Sequence, residues 1–280
     1  MRIRAAEVPV NLPDPEIRGY DDFYGEFDSP LMQRLRQEAY GQDIGQHSWV
    51  TAEELEEDIP RLQLSCASRL LDLGCGPCGP LTFVTSRLRC KSTGMDVSAN
   101  AIAAGKARAA AMGIAELVTL FVGDLNQPIQ FDNGSFDAVM SLDVVLHLRE
   151  RAEMFREVAR VLAPGGRFLF TDAGVITGPV SDDEIRRRAI HGHTQFVPPG
   201  LNEKVLEPAG FRLFDRIDRT MNVLKNATGR LAARVAHQGE LEPVEGKARF
   251  ERELEYLETV IGLSQRGALA RMMYLAEVRA

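Results

Sequence analysis

Short apolar runs alternate with amphipathic segments between residues 69 and 174. In chain order the runs are RLLDL, KSTGMDV, LVTLFVGD, SFDAVMSLD and GRFLFTDAG. Apolar runs of this length, separated by segments long enough for a helix, predict βαβ units around a parallel sheet. The helix predicted through RAEMFREVARVL is expected to end at Pro164-Gly165-Gly166. The pattern therefore predicts an α/β protein with a doubly wound sheet.

Helical patterns flank this alternating region. Thr51 and Glu54 form a capping box, which predicts a helix over residues 51–63. Ser181 and Glu184 form a second capping box over a short basic helix. Residues 222–268 are mostly helical in pattern, and RMMYLAEVRA at residues 271–280 predicts a last strand.

These patterns predict a core with helical additions. Residues 1–63 are expected to form an N-terminal arm and lid helices, and residues 64–219 a core with a cap insertion at about 174–200. Residues 220–270 are expected to form a helical cap, and residues 271–280 the last strand of the core.

Composition narrows the range of partners. The chain has 280 residues and a formal net charge of -7, so it lacks the basic excess that binds phosphate backbones. The first residues lack the apolar region of a secretion signal, and no segment approaches the ~20 apolar residues that span a bilayer. We expect a cytoplasmic protein with no nucleic-acid or membrane partner. The oligomeric state is not specified by these features.

The stretch LDLGCGPCGP carries a glycine turn immediately after the first predicted strand. Gly74, Gly76 and Gly79 follow the spacing GxGxxG and open a helix, the arrangement that lets backbone N–H groups approach a nucleotide closely. Asp96 ends the next strand, 20 residues after Gly76, where a carboxylate can accept both hydroxyls of a ribose. Cys75 and Cys78 stand within the turn, and without a second cysteine pair their CxxC spacing is expected to be incidental.

Two further carboxylates are candidates for binding the cofactor. Asp72 ends the first strand and is suited to a methionyl amino group, while Asp124 and Leu125 follow the third strand and are suited to an adenine ring. Alternatively, these carboxylates only cap helices or turns. The glycine turn alone does not distinguish nicotinamide and flavin cofactors from S-adenosylmethionine.

The segments LLDLGCGP, GMDVS, GDL, FDAVMSLDVVLHL and EVARVLAPGGRFLFTD occur in this order. Together they resemble the motif series of class I S-adenosylmethionine-dependent methyltransferases, over about residues 65–218 and the last strand. The resemblance implies a Rossmann-like sheet of seven strands with the last strand antiparallel, and S-adenosylmethionine as cofactor. We also assign cofactor contacts to Gln46, Val97 and Leu142.

Within that class, YGQDIGQHSW and SLDVVLHL are similar to segments of phosphoethanolamine and sarcosine methyltransferases. In the phosphoethanolamine enzymes a histidine in the LHL position works with an N-terminal tyrosine, which implies His147 with Tyr20 or Tyr24 as catalytic residues. The arginine and tyrosine that bind phosphate in those enzymes have no match near residues 191–194, which argues against a phosphorylated substrate. A related group methylates isoprenyl diphosphates at carbon with a cap glutamate, which HGHTQFVPPG lacks.

A second set of residues is expected near the methyl acceptor. His147 follows Asp143 by four residues at the carboxyl edge of the sheet, where ligands of open α/β folds bind. A histidine with a near-neutral pKa can accept a proton from an amine or hydroxyl. Trp49, His191 and His193 are expected as lid or pocket contacts for the substrate.

Two nearby features are not expected to form a metal site or an anion site. The histidines at 191 and 193 have no acidic or cysteine partner at ligand spacing, so no metal site is predicted. The run Arg186-Arg187-Arg188 is expected to be solvated, because three consecutive residues on a helix do not share one face.

The sequence thus predicts an enzyme that transfers a methyl group from S-adenosylmethionine to a nitrogen or oxygen of a small metabolite or natural product. Three alternatives stay open: a C-methyltransferase of an isoprenoid-type substrate, a nicotinamide-dependent oxidoreductase, and a non-catalytic cofactor-binding protein. The oxidoreductase explains the glycine turn and Asp96, but it gives no reason for GDL or LAPGGRFLF.

Overall fold

The structure, a computed structural model, describes Asp21, residues 24–190 and residues 192–279. Within these residues one seven-stranded sheet has the order β3-β2-β1-β4-β5-β7-β6, and β7 runs antiparallel to both of its neighbours. The strands are β1 (Arg69–Leu73), β2 (Lys91–Asp96), β3 (Val118–Val122), β4 (Phe136–Leu142), β5 (Leu162–Ile176), β6 (Phe211–Asp218) and β7 (Leu269–Val278). The predicted fold class, including the antiparallel last strand, is confirmed.

Helices connect the strands and cover the sheet. They are α1 (Pro30–Tyr40), α2 (Ala52–Asp58), α3 (Gly79–Leu88), α4 (Ala99–Ala111), α5 (Arg151–Val161), α6 (Asp182–Arg188), α7 (Leu201–Leu206), α8 (Thr220–Ala236), α9 (Gln238–Glu245) and α10 (Lys247–Gln265). The predicted cap at Ser181 is present as a reciprocal capping box with Glu184. In the part of the chain that is described, no helix is both long and apolar enough to cross a membrane.

One strand begins earlier than predicted. The helix α5 ends at Val161, before Pro164-Gly165-Gly166 as predicted, but β5 starts at Leu162 rather than at Gly166, so the tripeptide lies in its first part. The pairing of β4 with β5 shifts register between Phe136 and Ala138, opposite this segment. Such an irregularity accommodates a proline and glycines in a strand, because the ladder there does not need every N–H.

The sheet places the loops that follow β2, β1 and β4 next to one another, and these loops carry the predicted cofactor residues. Leu70 and Leu71 of β1 are fully buried in two different hydrophobic clusters, because successive side chains of a strand point to opposite faces. The centre of the sheet is therefore covered on both sides, as in parallel α/β sheets. Because β2, β1 and β4 are parallel neighbours, their carboxyl ends meet at one edge.

A buried ion network joins α2 to this edge. Arg271 of β7 is fully buried; its Nη1 donates to both carboxylate oxygens of Glu54 at 2.6 and 2.9 Å, and its Nε donates to Asp143 Oδ1 at 2.7 Å. Burial by itself lowers the pKa of Arg271, but the carboxylates of Asp143 and Glu54 outweigh it and the pKa is raised. The Glu54 backbone N–H still donates to Thr51 as predicted, while its side chain binds Arg271.

We expect Arg271→Met to lower the free energy of unfolding by about 3–5 kcal/mol, because it leaves two buried carboxylates without their cation. Urea denaturation measures the loss. The matched control is Arg156→Met, which breaks an exposed pair with Glu153 on α5 and should cost no more than about 1 kcal/mol. Equal losses in the two variants would contradict the central role of the network.

Candidate functional site

The glycine turn between β1 and α3 adopts backbone geometry that needs glycine. Gly74 has φ +73° and Gly76 has φ +52°, both in the left-handed region. A Cβ on Gly74 would lie 2.5 Å from Cγ2 of Val144, so any side chain there displaces the neighbouring loop. Gly79 is close enough to the backbone of Gly45 that a Cβ would overlap it. The turn is therefore held against two other loops of the same edge.

Asp96 ties the turn to the end of β2. Its Oδ2 accepts a hydrogen bond from the N–H of Gly76 at 2.8 Å, and its Oδ1 accepts one from the N–H of Ser98 at 2.9 Å. Each carboxylate oxygen has a second lone pair, so Asp96 keeps the capacity to accept hydroxyl groups from a ribose. Its side chain lines the cavity that the turn borders.

Asp72 is a buried carboxyl group at the end of β1. Burial, followed by the nearby charge of Asp96, raises the pKa of Asp72 well above its usual range. No ion pair to Asp72 occurs within the described residues. A ligand cation at this position would therefore stabilise the ionised form. The chemistry fits the positively charged end of S-adenosylmethionine.

A cavity of about 610 Å³ opens at this edge of the sheet. Most of the predicted cofactor residues line it: Asp72, Gly74, Gly76, Asp96, Val97, Asp124, Leu125 and Leu142. The predicted substrate-side residues Trp49, Asp143, His147 and His193 also line it, as does Tyr24. The fold therefore brings the two predicted groups of residues together around one space.

Gln46 differs from the other predicted cofactor residues. It is buried, and its side chain serves the loop before α2: Oε1 accepts from the N–H of Ile44 at 2.9 Å, and Nε2 donates to the carbonyl of Gln42 at 3.1 Å. Its neighbours Gly45 and His47 line the cavity, whereas Gln46 does not. The cavity is therefore lined by Gly45 and His47, which the sequence did not indicate, and not by the predicted Gln46 between them.

Tyr24 lies on the cofactor side of the cavity. Its hydroxyl is 3.3 Å from Nδ1 of His47, and a Cβ on Gly76 would lie 3.2 Å from the same oxygen. A catalytic role for Tyr24 stays a prediction. Tyr20 and His191 lie outside the described residues.

His147 ends a short 3-10 turn after β4 and is held by the cap loop. Its Nδ1 is 2.8 Å from the carbonyl oxygen of His193, and because a carbonyl only accepts, Nδ1 carries the proton. The lone pair of the neutral ring is therefore on Nε2. Burial lowers the pKa of His147, and the charge of Arg188 lowers it further. His147 is accordingly neutral at physiological pH, the state that a general base requires.

Asp143 supports the site through contacts on both of its oxygens. Oδ1 accepts from the Thr171 hydroxyl at 2.8 Å and from Arg271, and Oδ2 accepts from the N–H of Trp49 at 2.9 Å. Its backbone has φ +60°, which is uncommon for a residue other than glycine. These contacts fix the start of the His147 turn and the position of Trp49, while the substrate role of Asp143 stays a prediction.

The expectation that the arginine run is solvated is wrong for one of its members. Arg186 and Arg187 are exposed, but Arg188 is buried with 5% relative exposure and lines the cavity. Three consecutive residues do not share one helix face, so one of them turns inward when the others face solvent. Arg230 of α8 and Tyr256 of α10 also line the cavity. No motif in the sequence marked those two residues, because their helices have no family pattern.

The cysteines of the turn pack against each other. The Sγ atoms of Cys75 and Cys78 are 3.4 Å apart, and both residues are buried. Cys78 lies against Gly105 of α4, and of the two cysteines only Cys75 lines the cavity. Within the described residues, no group of three or more histidine, cysteine or acidic side chains is placed to hold a metal ion.

Comparison with known proteins agrees with this site. Residues 71–170 match the model of the methyltransferase domain family. Over 127 residues the chain is 29% identical to methyltransferase GfsG of Streptomyces halstedii, and the match covers 45% of each chain. It is 28% identical over 183 residues to phosphoethanolamine N-methyltransferase 1 of Triticum aestivum, which covers 63% of this chain and 35% of that one. The chain thus spans less than half of the length of these curated relatives.

A solved structure extends the likeness to the whole fold. A putative sarcosine dimethylglycine methyltransferase from Galdieria sulphuraria superposes with a TM-score of 0.78 at 18% identity, covering 94% of this chain and 98% of that one. The chain therefore has the Rossmann-like fold of class I S-adenosylmethionine-dependent methyltransferases, as predicted. Residues 71–170 match a methyltransferase domain, and the cofactor of such domains is S-adenosylmethionine, as predicted.

The backbone geometry of the glycine turn predicts how Gly74→Ala changes the free energy of unfolding. Gly74→Ala and Gly113→Ala both place alanine at a positive φ, which costs about 1–2 kcal/mol. A Cβ on Gly113 meets nothing within 4 Å, whereas one on Gly74 meets Val144. We expect Gly74→Ala to lower the free energy of unfolding by roughly 1–3 kcal/mol more than Gly113→Ala, measured by urea denaturation. Equal losses would show that the loop yields without cost.

Proposed function

We propose that this protein transfers a methyl group from S-adenosylmethionine to a nitrogen or oxygen of a small molecule, with His147 as the base. The observation that carries the proposal is a neutral, partly buried histidine, oriented by the His193 carbonyl, in the same cavity as the glycine turn. The named activities of relatives such as phosphoethanolamine N-methyltransferase support a small methyl acceptor.

The cofactor would be held by three groups at the strand ends. Asp96 would accept the ribose hydroxyls, because its oxygens keep lone pairs beyond those used by Gly76 and Ser98. Asp72 would pair with the amino group of the methionyl part. Asp124 and Leu125, on the loop after β3, would contact the adenine. When bound, S-adenosylmethionine supplies a methyl group already activated by a positively charged sulfur.

The chain contributes orientation and proton removal. His147 Nε2 has the lone pair that can accept the proton lost by an amine or hydroxyl acceptor, while Nδ1 stays bound to the His193 carbonyl. The lowered pKa of His147 keeps Nε2 unprotonated at neutral pH. Elements outside the central sheet, α6, α8 and α10, cover the acceptor end and would exclude water from the transfer.

Cofactor binding should depend on pH through Asp72. Its pKa is raised, and only the ionised form pairs with a cation, so binding releases a proton wherever the pH lies below that pKa. The affinity for S-adenosylmethionine, measured by calorimetry between about pH 5 and 8, should therefore rise with pH and level off above the pKa. Asp72→Asn should weaken binding about 10- to 100-fold and flatten the dependence.

Asp132→Asn is the matched control, since it removes one exposed negative charge away from the cavity and should change neither property. An affinity that does not vary with pH would contradict the role of Asp72. Absence of S-adenosylmethionine binding would overturn the proposed function itself.

The role of His147 as the base is tested in two stages. Labelled-methyl transfer to a metabolite panel first identifies an acceptor, and kcat with that acceptor is then measured as a function of pH. Because the neutral imidazole acts and its pKa is lowered, kcat should decline only at a lower pH than an unperturbed histidine would give. His147→Asn keeps an N–H donor for the His193 carbonyl but has no base, so kcat should fall about 10²- to 10⁴-fold with the cofactor Kd unchanged.

The control for this series is His237→Asn, an exposed histidine paired with Glu38, which should retain the activity of the parent protein. Full activity of His147→Asn would show that His147 only positions the acceptor or the cap loop.

A further inference from the structure

Four side chains from separate parts of the chain form one wall of the cavity at the acceptor end. Trp49 and Tyr256 are stacked, with ring centroids 6.2 Å apart and an angle of 24° between the planes. The guanidinium of Arg230 lies 4.9 Å from the Trp49 ring, and that of Arg188 lies 5.3 Å from the Tyr256 ring. All four residues line the cavity. We call them the arginine–aromatic wall.

Arg188 is buried and has no counter-ion among the described residues. Its Nη1 donates to the Tyr256 hydroxyl at 3.2 Å and its Nη2 to the Ala173 carbonyl at 3.4 Å, both near the long limit for hydrogen bonds. Its Nε is buried and has no hydrogen-bond partner among the described residues. In the same part of the chain no carboxylate lies within ion-pair distance of Arg188. A buried guanidinium in this state is costly unless a ligand supplies the missing acceptor.

Arg230 adds a second positive charge to the wall. Burial lowers the pKa of Arg230, but the nearby Tyr40, Tyr256 and Glu253 raise it by more, so the group stays charged. Within the described residues Arg230 forms no ion pair, and its closest described ring contact is with Trp49.

Asp143, a carboxylate of the cavity lining, is already engaged. Asp143 accepts from Arg271 and Thr171 on one oxygen and from the Trp49 N–H on the other. It therefore does not neutralise the two guanidinium groups. Arg188 and Arg230 thus lie next to flat aromatic rings and form no ion pair among the described residues.

We infer that the methyl acceptor carries a carboxylate, which binds the Nε and Nη2 edge of Arg188 next to the stacked rings. That edge presents two parallel N–H groups, the geometry that matches the two oxygens of a carboxylate. Replacing the long contact to Ala173 by a charge-assisted hydrogen bond would satisfy the orphaned Nε as well. The inference rests on the proposed function and adds the class of substrate to it.

The test uses the full chain saturated with S-adenosylhomocysteine, and calorimetry of small acids against their primary amides. The probes are N-methylglycine and its amide, and 4-hydroxybenzoate and 4-hydroxybenzamide, extended to further amino and hydroxy acids in matched pairs. At least one acid should bind about 10- to 100-fold more tightly than its amide. The same acid should accept a labelled methyl group from S-adenosylmethionine.

Substitutions then assign the preference to the wall. Arg188→Gln should remove the preference for the acid while the affinity for S-adenosylhomocysteine stays the same. Arg188→Lys, which keeps the charge but loses the paired N–H groups, should retain part of it. Arg187→Gln, on the same helix with an exposed side chain paired to Asp183, is the matched control and should behave like the parent. Thermal melts of each variant check folding, and Arg230→Gln provides a second test if Arg188→Gln does not fold.

Each other outcome overturns the inference. It fails if no acid binds more tightly than its amide, or if phosphoethanolamine binds more tightly than every carboxylic acid. It also fails if the preference persists in folded Arg188→Gln or, where that variant does not fold, in Arg230→Gln. Failure of S-adenosylhomocysteine to bind the parent protein would instead overturn the proposed function, so the two failures are distinguishable.

Discussion

Arg271 is the group on which the arrangement of the site depends. It binds Glu54, 217 residues earlier in the chain, and Asp143, 128 residues earlier, from a fully buried position on β7. A guanidinium has donors on several edges, so a single side chain can hold both carboxylates. Since each buried charge is costly without its partner, the network persists only when α2, the end of β4 and β7 are all in place. The antiparallel last strand thus has an electrostatic function at the site as well as a place in the sheet.

Asp143 connects the buried Arg271 network to the cavity. Its left-handed backbone is unfavourable by itself and persists because the side chain is held by Arg271, Thr171 and Trp49. The residues that follow form the turn that carries His147. The hydrogen bond from the Trp49 N–H to Asp143 also fixes the position of Trp49, one of the two rings of the arginine–aromatic wall. One carboxylate therefore positions both the candidate base and part of the substrate surface.

The two ends of the cavity are built by different means. The cofactor end consists of loops that follow parallel strands, where backbone geometry leaves little freedom: Gly74 and Gly76 need positive φ and Asp96 is bound to the turn. The acceptor end consists of side chains on α6, α8, α10 and the loop before α2. Such a division lets one cofactor site serve different acceptors, because helices outside the sheet can change without disturbing the turn.

The sequence by itself predicted the sheet and the position of the candidate cofactor residues at its strand ends, because turns and strand termini depend on local patterns such as GxGxxG and the acidic residue 20 positions later. It also pointed to His147 through its position after a strand. Only the tertiary structure decided that Glu54 pairs with Arg271, that Arg188 faces inward, and that Gln46 serves its own loop. These outcomes depend on contacts between segments far apart in the chain, which no local period encodes. The arginine–aromatic wall is assembled from four such segments, and therefore neither a motif nor a periodic pattern in the sequence predicted it.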